Sequence, residues 1–254
     1  MTEHIKISSA NRILHLQFNR PERKNAITRD MYSALAEALN QAAQDNDIRV
    51  VLFSGSENCF TAGNDLQDFL AGGELNADNP VAQFMQALFN FPKPVVAAVS
   101  GPAVGIGTTL LLQCDLVYAD NTAKFQMPFV NLGLVPEYAS SVLIPRLMGQ
   151  VKAAELFLLG ESFDADTACS LGIINERCDD ALATASAQAA RLVAQPPAAV
   201  RATKALMREP MKQQSLAVMD KEFAAFGTGL AGAEFKEAAT AFLEKRKPDF
   251  SAFN

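Results

Sequence analysis

The chain opens with short runs in which apolar and polar residues alternate. Ile5 to Ile7 and Ile13 to Phe18 read as strands; in the second, Leu14, Leu16 and Phe18 share one face, His15 and Gln17 the other. Asn19-Arg20-Pro21-Glu22 is a turn. At Thr28, a good N-cap, the period becomes helical and holds to about Asp45. Met31, Leu35, Leu39 and Ala42 (or Ala38 and Ala43) form its apolar stripe. Ile48 to Phe53, apolar except for Arg49, reads as a strand ending at Ser54-Gly55. A helix over about Pro80 to Asn90, a strand Val95 to Val99 and a helix from near Ile106 carrying Leu110, Leu111 and Leu112 follow. Short strands at Asp115 to Ala119 and Ala123 to Gln126 complete an alternation that predicts an α/β fold.

Beyond Glu137 the pattern is almost wholly helical. Stretches at 181–195, 197–207, 211–226 and 233–246 are separated by Pro196-Pro197, Pro210 and Gly227/Gly229. The expected organisation is a core over residues 1–195 and a helical C-terminal region over 196–254, serving as subdomain or assembly element. Phe223, Phe226, Phe235 and Phe242 in that region fit a subunit interface and a core within one subunit equally well. Pro94 to Cys114 carries no charge over 21 residues, enough to cross a bilayer. Its prolines and glycines instead favour a buried strand, a glycine-rich loop and a buried helix in series, and no membrane partner is expected.

Composition narrows the classes. Of 254 residues, 49% are hydrophobic and 20% charged, an ordinary globular balance for one or two domains. The net charge of −6 lacks a nucleic-acid footprint but leaves room for a local basic patch. Four cysteines show no CxxC spacing, and the first residues carry no basic-then-apolar leader, so free thiols in the cytoplasm are expected. The histidines, His4 and His15, read as surface residues, which sets aside Ser-His-Asp or Cys-His catalysis and clustered metal sites. Gly101-Pro-Ala-Val-Gly105-Ile-Gly107 lacks the third glycine of a dinucleotide fingerprint, which would fall at Leu110, and no P-loop exists.

Two glycine turns carry more weight: Phe60-Thr61-Ala62-Gly63-Asn64-Asp65 and Gly105-Ile106-Gly107. Each follows a strand and precedes a helix start whose N–H groups the helix leaves unpaired. Two such donors aimed at one point would make an oxyanion hole; tight turns alone would also explain the glycines. Asp65 and Asp115 suit turns and caps. Glu137 follows the apolar Leu132 to Pro136 and opens a helical pattern, Tyr138 to Leu147. Desolvation would raise its pKa and a helix N-terminus would lower it, a balance suited to a general base, although a helix-start glutamate serving the dipole fits as well.

The motifs Asn19-Arg-Pro-Glu-Arg-Lys-Asn-Ala26, Phe60-Thr-Ala-Gly-Asn-Asp-Leu66, Lys93-Pro-Val-Val-Ala-Ala-Val-Ser-Gly-Pro-Ala-Val-Gly105, Cys114-Asp-Leu-Val-Tyr-Ala119 and Ala123-Lys-Phe125 occur in order. Over about Ile13 to Leu243 the chain resembles the crotonase superfamily, the enoyl-CoA hydratase/isomerase family. The resemblance implies a spiral of ββα units and C-terminal helices that pack in a homotrimer, often doubled to a hexamer. It implies acyl-CoA thioesters as substrates, with no cofactor beyond the CoA they carry. The thioester oxygen would meet the backbone N–H groups of Asn64 and Ile106.

Two glutamates that activate water in the family's hydratases map onto Thr109 and Phe129, so both carboxylates are missing. The segment Phe125-Gln-Met-Pro-Phe129 through Pro136-Glu137 is similar to peroxisomal-type Δ3,Δ2-enoyl-CoA isomerases, whose single catalytic glutamate maps onto Glu137. The expected activity is transfer of a double bond from C3 to C2 by Glu137. Thr109, Phe129 and Leu134 would shape a dry acyl pocket. Arg23 and Lys24 would meet CoA phosphates, and Ala26, Ala62, Asp65 and Leu66 would line the CoA channel. Thioester hydrolysis, weak hydration and a non-catalytic acyl-CoA-binding scaffold are the alternatives.

Overall fold

A computed structural model describes residues 2–56, 59–70 and 78–253. Six strands form the main sheet, in the order β1 (Ile5–Ala10), β2 (Ile13–Phe18), β3 (Val50–Ser54), β4 (Val95–Val99), β6 (Leu116–Asp120), β9 (Glu176–Cys178). Within this sheet only β1 and β2 pair antiparallel. A smaller sheet joins β5 (Pro102–Val104), β7 (Lys124–Gln126) and β8 (Phe163–Asp164). The helices are α1 (Arg29–Gln44), α2 (Leu66–Leu70), α3 (Pro80–Phe89), α4 (Ile106–Thr109), α5 (Ser140–Met148), α6 (Gln150–Leu159), α7 (Ala165–Ser170), α8 (Ala181–Val193), α9 (Pro197–Ala231) and α10 (Ala233–Leu243).

Every residue of β3 and β4 is buried, as parallel strands covered on both faces require. Val51, Phe53, Val95 and Ala97 join one core cluster with Met31, Leu35 and Leu39 of α1 and Phe84 and Leu88 of α3. Val50, Leu52, Val96 and Ala98 point the other way, onto Ala181, Ala185 and Ala189 of α8. Alanine at every fourth position gives α8 a smooth face that lies close on the sheet. His15 lies on this covered side, partly buried and hydrogen-bonded through Nε2 to Ser54 Oγ at 2.8 Å, so it is not the surface histidine expected. Burial lowers its pKa.

The chain repeats one path. β4 leads through β5 to α4, and β3 leads through Thr61, which bridges Ala103 of β5, to α2. β6 leads through β7 to a 3-10 turn at Val130–Leu132. Each circuit places a long strand in the large sheet, a short stretch in the small one and a helical turn between: the ββα spiral with a helical C-terminal region that the motifs implied. The charge-free run from Pro94 is accordingly β4, β5, α4 and a 3-10 turn, and no helix among the described residues is long and apolar enough to cross a membrane. All four cysteines are free.

Two helical expectations are also corrected. The helix expected to carry Leu110 to Leu112 is a single α turn continued as a 3-10 helix, Leu110–Gln113. Pro210, Gly227 and Gly229 do not divide the C-terminal helices; all three lie inside α9. Pro210 is exposed, as is Leu206 (74%), the residue whose carbonyl the missing Pro210 N–H leaves free. Gly229 permits close approach: a Cβ there would sit 3.0 Å from the Gly133 carbonyl oxygen. Phe226 and Phe235 are buried within the chain, whereas Phe242 is 65% exposed.

Candidate active site

The two glycine turns lie side by side because three stretches of backbone pair. Ala62 N–H donates to the Lys24 carbonyl at 2.9 Å, Ile27 N–H to Gly63 at 2.8 Å and Asp65 N–H to Ile27 at 3.0 Å. On the other flank Thr61 N–H donates to Pro102 and Val104 N–H to Thr61, both at 3.0 Å. Gly63 has φ +86, and a Cβ there would stand 2.6 Å from the Val104 carbonyl oxygen, so only glycine allows this approach. Gly105, at φ 57, ψ −118, turns β5 into α4, and its N–H is held by Gln126 at 2.8 Å. Asn64 and Ile106 stand three residues beyond the bridged Thr61 and Ala103. Neighbouring N–H groups at Gly63, Asp65 and Gly105 are all paired; those of Asn64 and Ile106 meet no acceptor among the described residues. Both residues line one cleft.

That cleft, of about 610 Å³, brings together Arg23, Lys24, Ala26, Ala62, Asn64, Asp65, Leu66, Ile106, Phe129 and Leu134. Arg23 and Lys24 are exposed, with no ion pair among the described residues. The Asp65 carboxylate is committed elsewhere: it pairs with Arg20 at 2.6 Å and accepts from the N–H groups of Gln67 and Asp68 at the start of α2. Burial pushes its pKa up, but these donors outweigh it and leave it lowered. Asn25, fully buried, ties the Arg20 to Ala26 loop to the first glycine turn; its Nδ2 donates to Cys59 at 2.7 Å and its Oδ1 accepts from Arg20 N–H at 2.8 Å.

Glu137 sits beside the cleft, in a cavity of about 20 Å³ that shares Asn64, Phe69 and Phe226 with it. Val81, Met85, Met219 and Phe223 complete an apolar surround. Burial, opposed by a Thr109 hydrogen bond and assisted by the charge of Glu222, pushes the carboxyl from the usual 4.5 to about 8. The structure moves Thr109 from the expected pocket wall: it is fully buried, lines neither cavity, and donates through Oγ1 to Glu137 Oε1.

Glu137 also does not open a helix. Tyr138 and Ala139 follow it in the left-handed region, at φ 64 and 60, and α5 begins at Ser140. Two such non-glycine residues in succession cost on the order of 1–2 kcal/mol each and persist only where neighbours hold them. Here Gln113 Nε2 donates to the Tyr138 carbonyl at 3.0 Å, Tyr138 Oη to Met85 at 2.9 Å and Ser140 Oγ to the Glu137 carbonyl at 2.6 Å. At the head of α5 the N–H groups of Ala139 and Ser141 are taken by Glu222, while that of Ser140 donates to the Glu137 carbonyl at 3.2 Å.

Four residues outside the motifs contribute. Tyr32 of α1, 1% exposed, donates to Asn64 Oδ1 at 2.5 Å. Phe69 and Phe226 stand with ring centroids 6.2 Å apart where cleft and cavity meet. Glu222 is the fourth. Tyr32 occupies the helical stripe as an ordinary core residue would, and Glu222 lies in a helix with no motif around it; nothing local marked either. Among the described residues no three His, Cys, Asp or Glu side chains gather to hold a metal.

Known proteins share this arrangement of chain. The enoyl-CoA delta isomerase 2 of Rattus norvegicus is 36% identical over 255 residues, 96% of this chain and 64% of its own length. This chain therefore spans less than two thirds of that relative. The 2,3-dehydroadipyl-CoA hydratase of Escherichia coli is 32% identical over 96% of this chain and 97% of its own. The solved structure of Pseudomonas aeruginosa OdaA superimposes with a TM-score of 0.93 at 46% identity, covering 95% of this chain and 99% of that one. The family model described as enoyl-CoA hydratase/isomerase matches residues 8–252. With paired glycine turns, a ββα spiral and a match along nearly its whole length, the chain belongs to the enoyl-CoA hydratase/isomerase family.

Proposed function

We propose that this protein is a Δ3,Δ2-enoyl-CoA isomerase. The carrying observation is that Glu137 is the one carboxylate of the described site left available: the cavity beside Asn64 holds no other, and Asp65 in the cleft is engaged by Arg20 and α2. Hydration needs a water that is both held and deprotonated; the surround of Phe69, Met85, Met219, Phe223 and Phe226 offers it no second acid. A proton shuttle needs one base and a dry site.

The thioester carbonyl of a 3-enoyl-CoA accepts from the Asn64 and Ile106 N–H groups. Glu137 removes a proton from C2, the electrons move into the carbonyl to form a dienolate, and the two N–H groups carry the charge. Glu137 then returns the proton at C4, leaving the double bond between C2 and C3. One carboxylate serves both carbons if the acyl chain bends so that they lie on one face. Arg23 and Lys24 supply charge for the CoA phosphates. The exposed Val151, Leu158, Leu206 and Met207 support self-association, with a trimer or a dimer of trimers the proposed assembly.

Incubation with trans-3-hexenoyl-CoA tests the reading. The expected product is the trans-2-enoyl thioester, lost in Glu137→Gln. Release of free CoA, formation of a 3-hydroxyacyl thioester, or saturable binding without turnover would each overturn it.

A further inference from the structure

Glu222 has no place in the chemistry just described, yet it is a buried carboxylate, 7% exposed, with no cationic partner among the described residues. Such a group is retained at a penalty unless its oxygens are well supplied with donors. Both are: Oε2 accepts from Ala139 N–H at 2.6 Å and Oε1 from Ser141 N–H at 2.9 Å. Ala139 stands at the N-cap position of α5 in a left-handed conformation and has no side chain to cap with. The cap comes instead from α9, whose Met219, Phe223 and Phe226 wall the cavity holding Glu137.

We propose that Glu222 is a positioning residue for Glu137: by bridging Ala139 and Ser141 it locks the left-handed turn that presents the Glu137 carboxyl beside Asn64, and ties that turn to the apolar wall of the cavity. The inference rests on the reading of Glu137 as the proton shuttle. Its electrostatic consequence follows from what faces Glu137. Thr109 from α4 donates to it, while the Tyr32 phenol of α1 and its own neighbour Tyr138 are kept neutral by burial and by the charge of Glu137. Glu222 of α9 is the charged group whose field reaches it. Removing that charge makes Glu137 easier to ionise.

The test is the variant series Glu222→Gln and Glu222→Asp. Glu222→Gln keeps size and one accepting oxygen but loses the charge. It is expected to lower kcat about 10- to 100-fold with little change in KM, since small displacements of a reacting group have effects of that size. The alkaline rise of its rate profile is expected at lower pH than in the unaltered protein. Glu222→Asp keeps the charge, so the position of that rise stays while kcat recovers in part. A lower melting temperature with kcat and pH profile unchanged would reduce Glu222 to a structural cap and overturn the proposal.

A readout independent of turnover separates the two levels. With carboxyl-13C glutamate, the resonance missing from Glu137→Gln is that of Glu137, and its titration is expected to move to lower pH in Glu222→Gln. An unmoved titration overturns the positioning role even if the isomerase is real. A moved titration in a protein that does not isomerise 3-enoyl thioesters upholds the link between Glu222 and Glu137 and sinks the reaction assigned to it.

Discussion

The Thr109 hydroxyl donates to the Glu137 carboxylate across two elements, α4 and the turn before α5, in a space closed to solvent. Here they form one unit: α4 supplies the Ile106 N–H from its first residue and the Glu137 partner from its last. The Ile106 N–H and the hydroxyl that holds Glu137 are thus set by the same helical turn.

A donor to the ionised carboxylate favours the charged form, so losing it pushes Glu137 above about 8. Thr109→Val is expected to shift the rising limb of the pH profile to higher pH and to reduce activity at pH 7 about 10- to 100-fold, the size of a hydrogen bond to a charged group. Thr109→Ser restores the limb. Initial rates from pH 6 to 10 check this; a limb that stays in place with valine contradicts it.

The raised carboxyl also acts on stability. Between its ordinary 4.5 and about 8, the folded protein keeps a proton that the unfolded chain gives up. Stability therefore falls as pH rises through that window. Glu137→Gln removes the fall, so its melting temperature is expected to match the unaltered protein near pH 4.5 and to exceed it at pH 9. The corresponding difference in folding free energy at pH 9 is on the order of a few kcal/mol. Melting curves that remain parallel across this range would show that Glu137 ionises freely.

The Ile106 N–H can be deleted without disturbing the backbone much. Ile106 is the first residue of α4, where proline is tolerated. Its side chain is 1% exposed, so Ile106→Ala serves as the control for lost packing. Ile106→Pro is expected to fall about 100- to 1,000-fold below Ile106→Ala in kcat, the effect of one missing oxyanion donor. Equal rates for the two variants would remove Ile106 from the site.

Arg23 and Lys24 are exposed on the rim of the cleft. Lys24→Glu is expected to raise KM for the CoA thioester about 5- to 10-fold, with kcat unchanged and the effect shrinking as salt is added. A salt-independent change would mean that the loop itself had been disturbed.

Local sequence determined what depends on local interactions. Thr28 caps α1, accepting from Met31 N–H, because a threonine before an apolar stripe at helical spacing has few better uses for its hydroxyl. Gly63 and Gly105 were legible because positive φ at a strand-to-helix turn selects glycine, and β3 and β4 because an unbroken apolar run suits a strand covered twice. The family motifs then brought Asn64, Ile106 and Glu137 into one expectation. Only the tertiary structure decided how those residues are held. Glu222 caps α5 from 81 residues away, and Thr109 reaches Glu137 across 28. Pro210 lies inside α9 on an exposed turn, beside the exposed Leu206. No local pattern encodes such pairings, since hydrogen bonds between distant segments exist only once burial has removed the competing water.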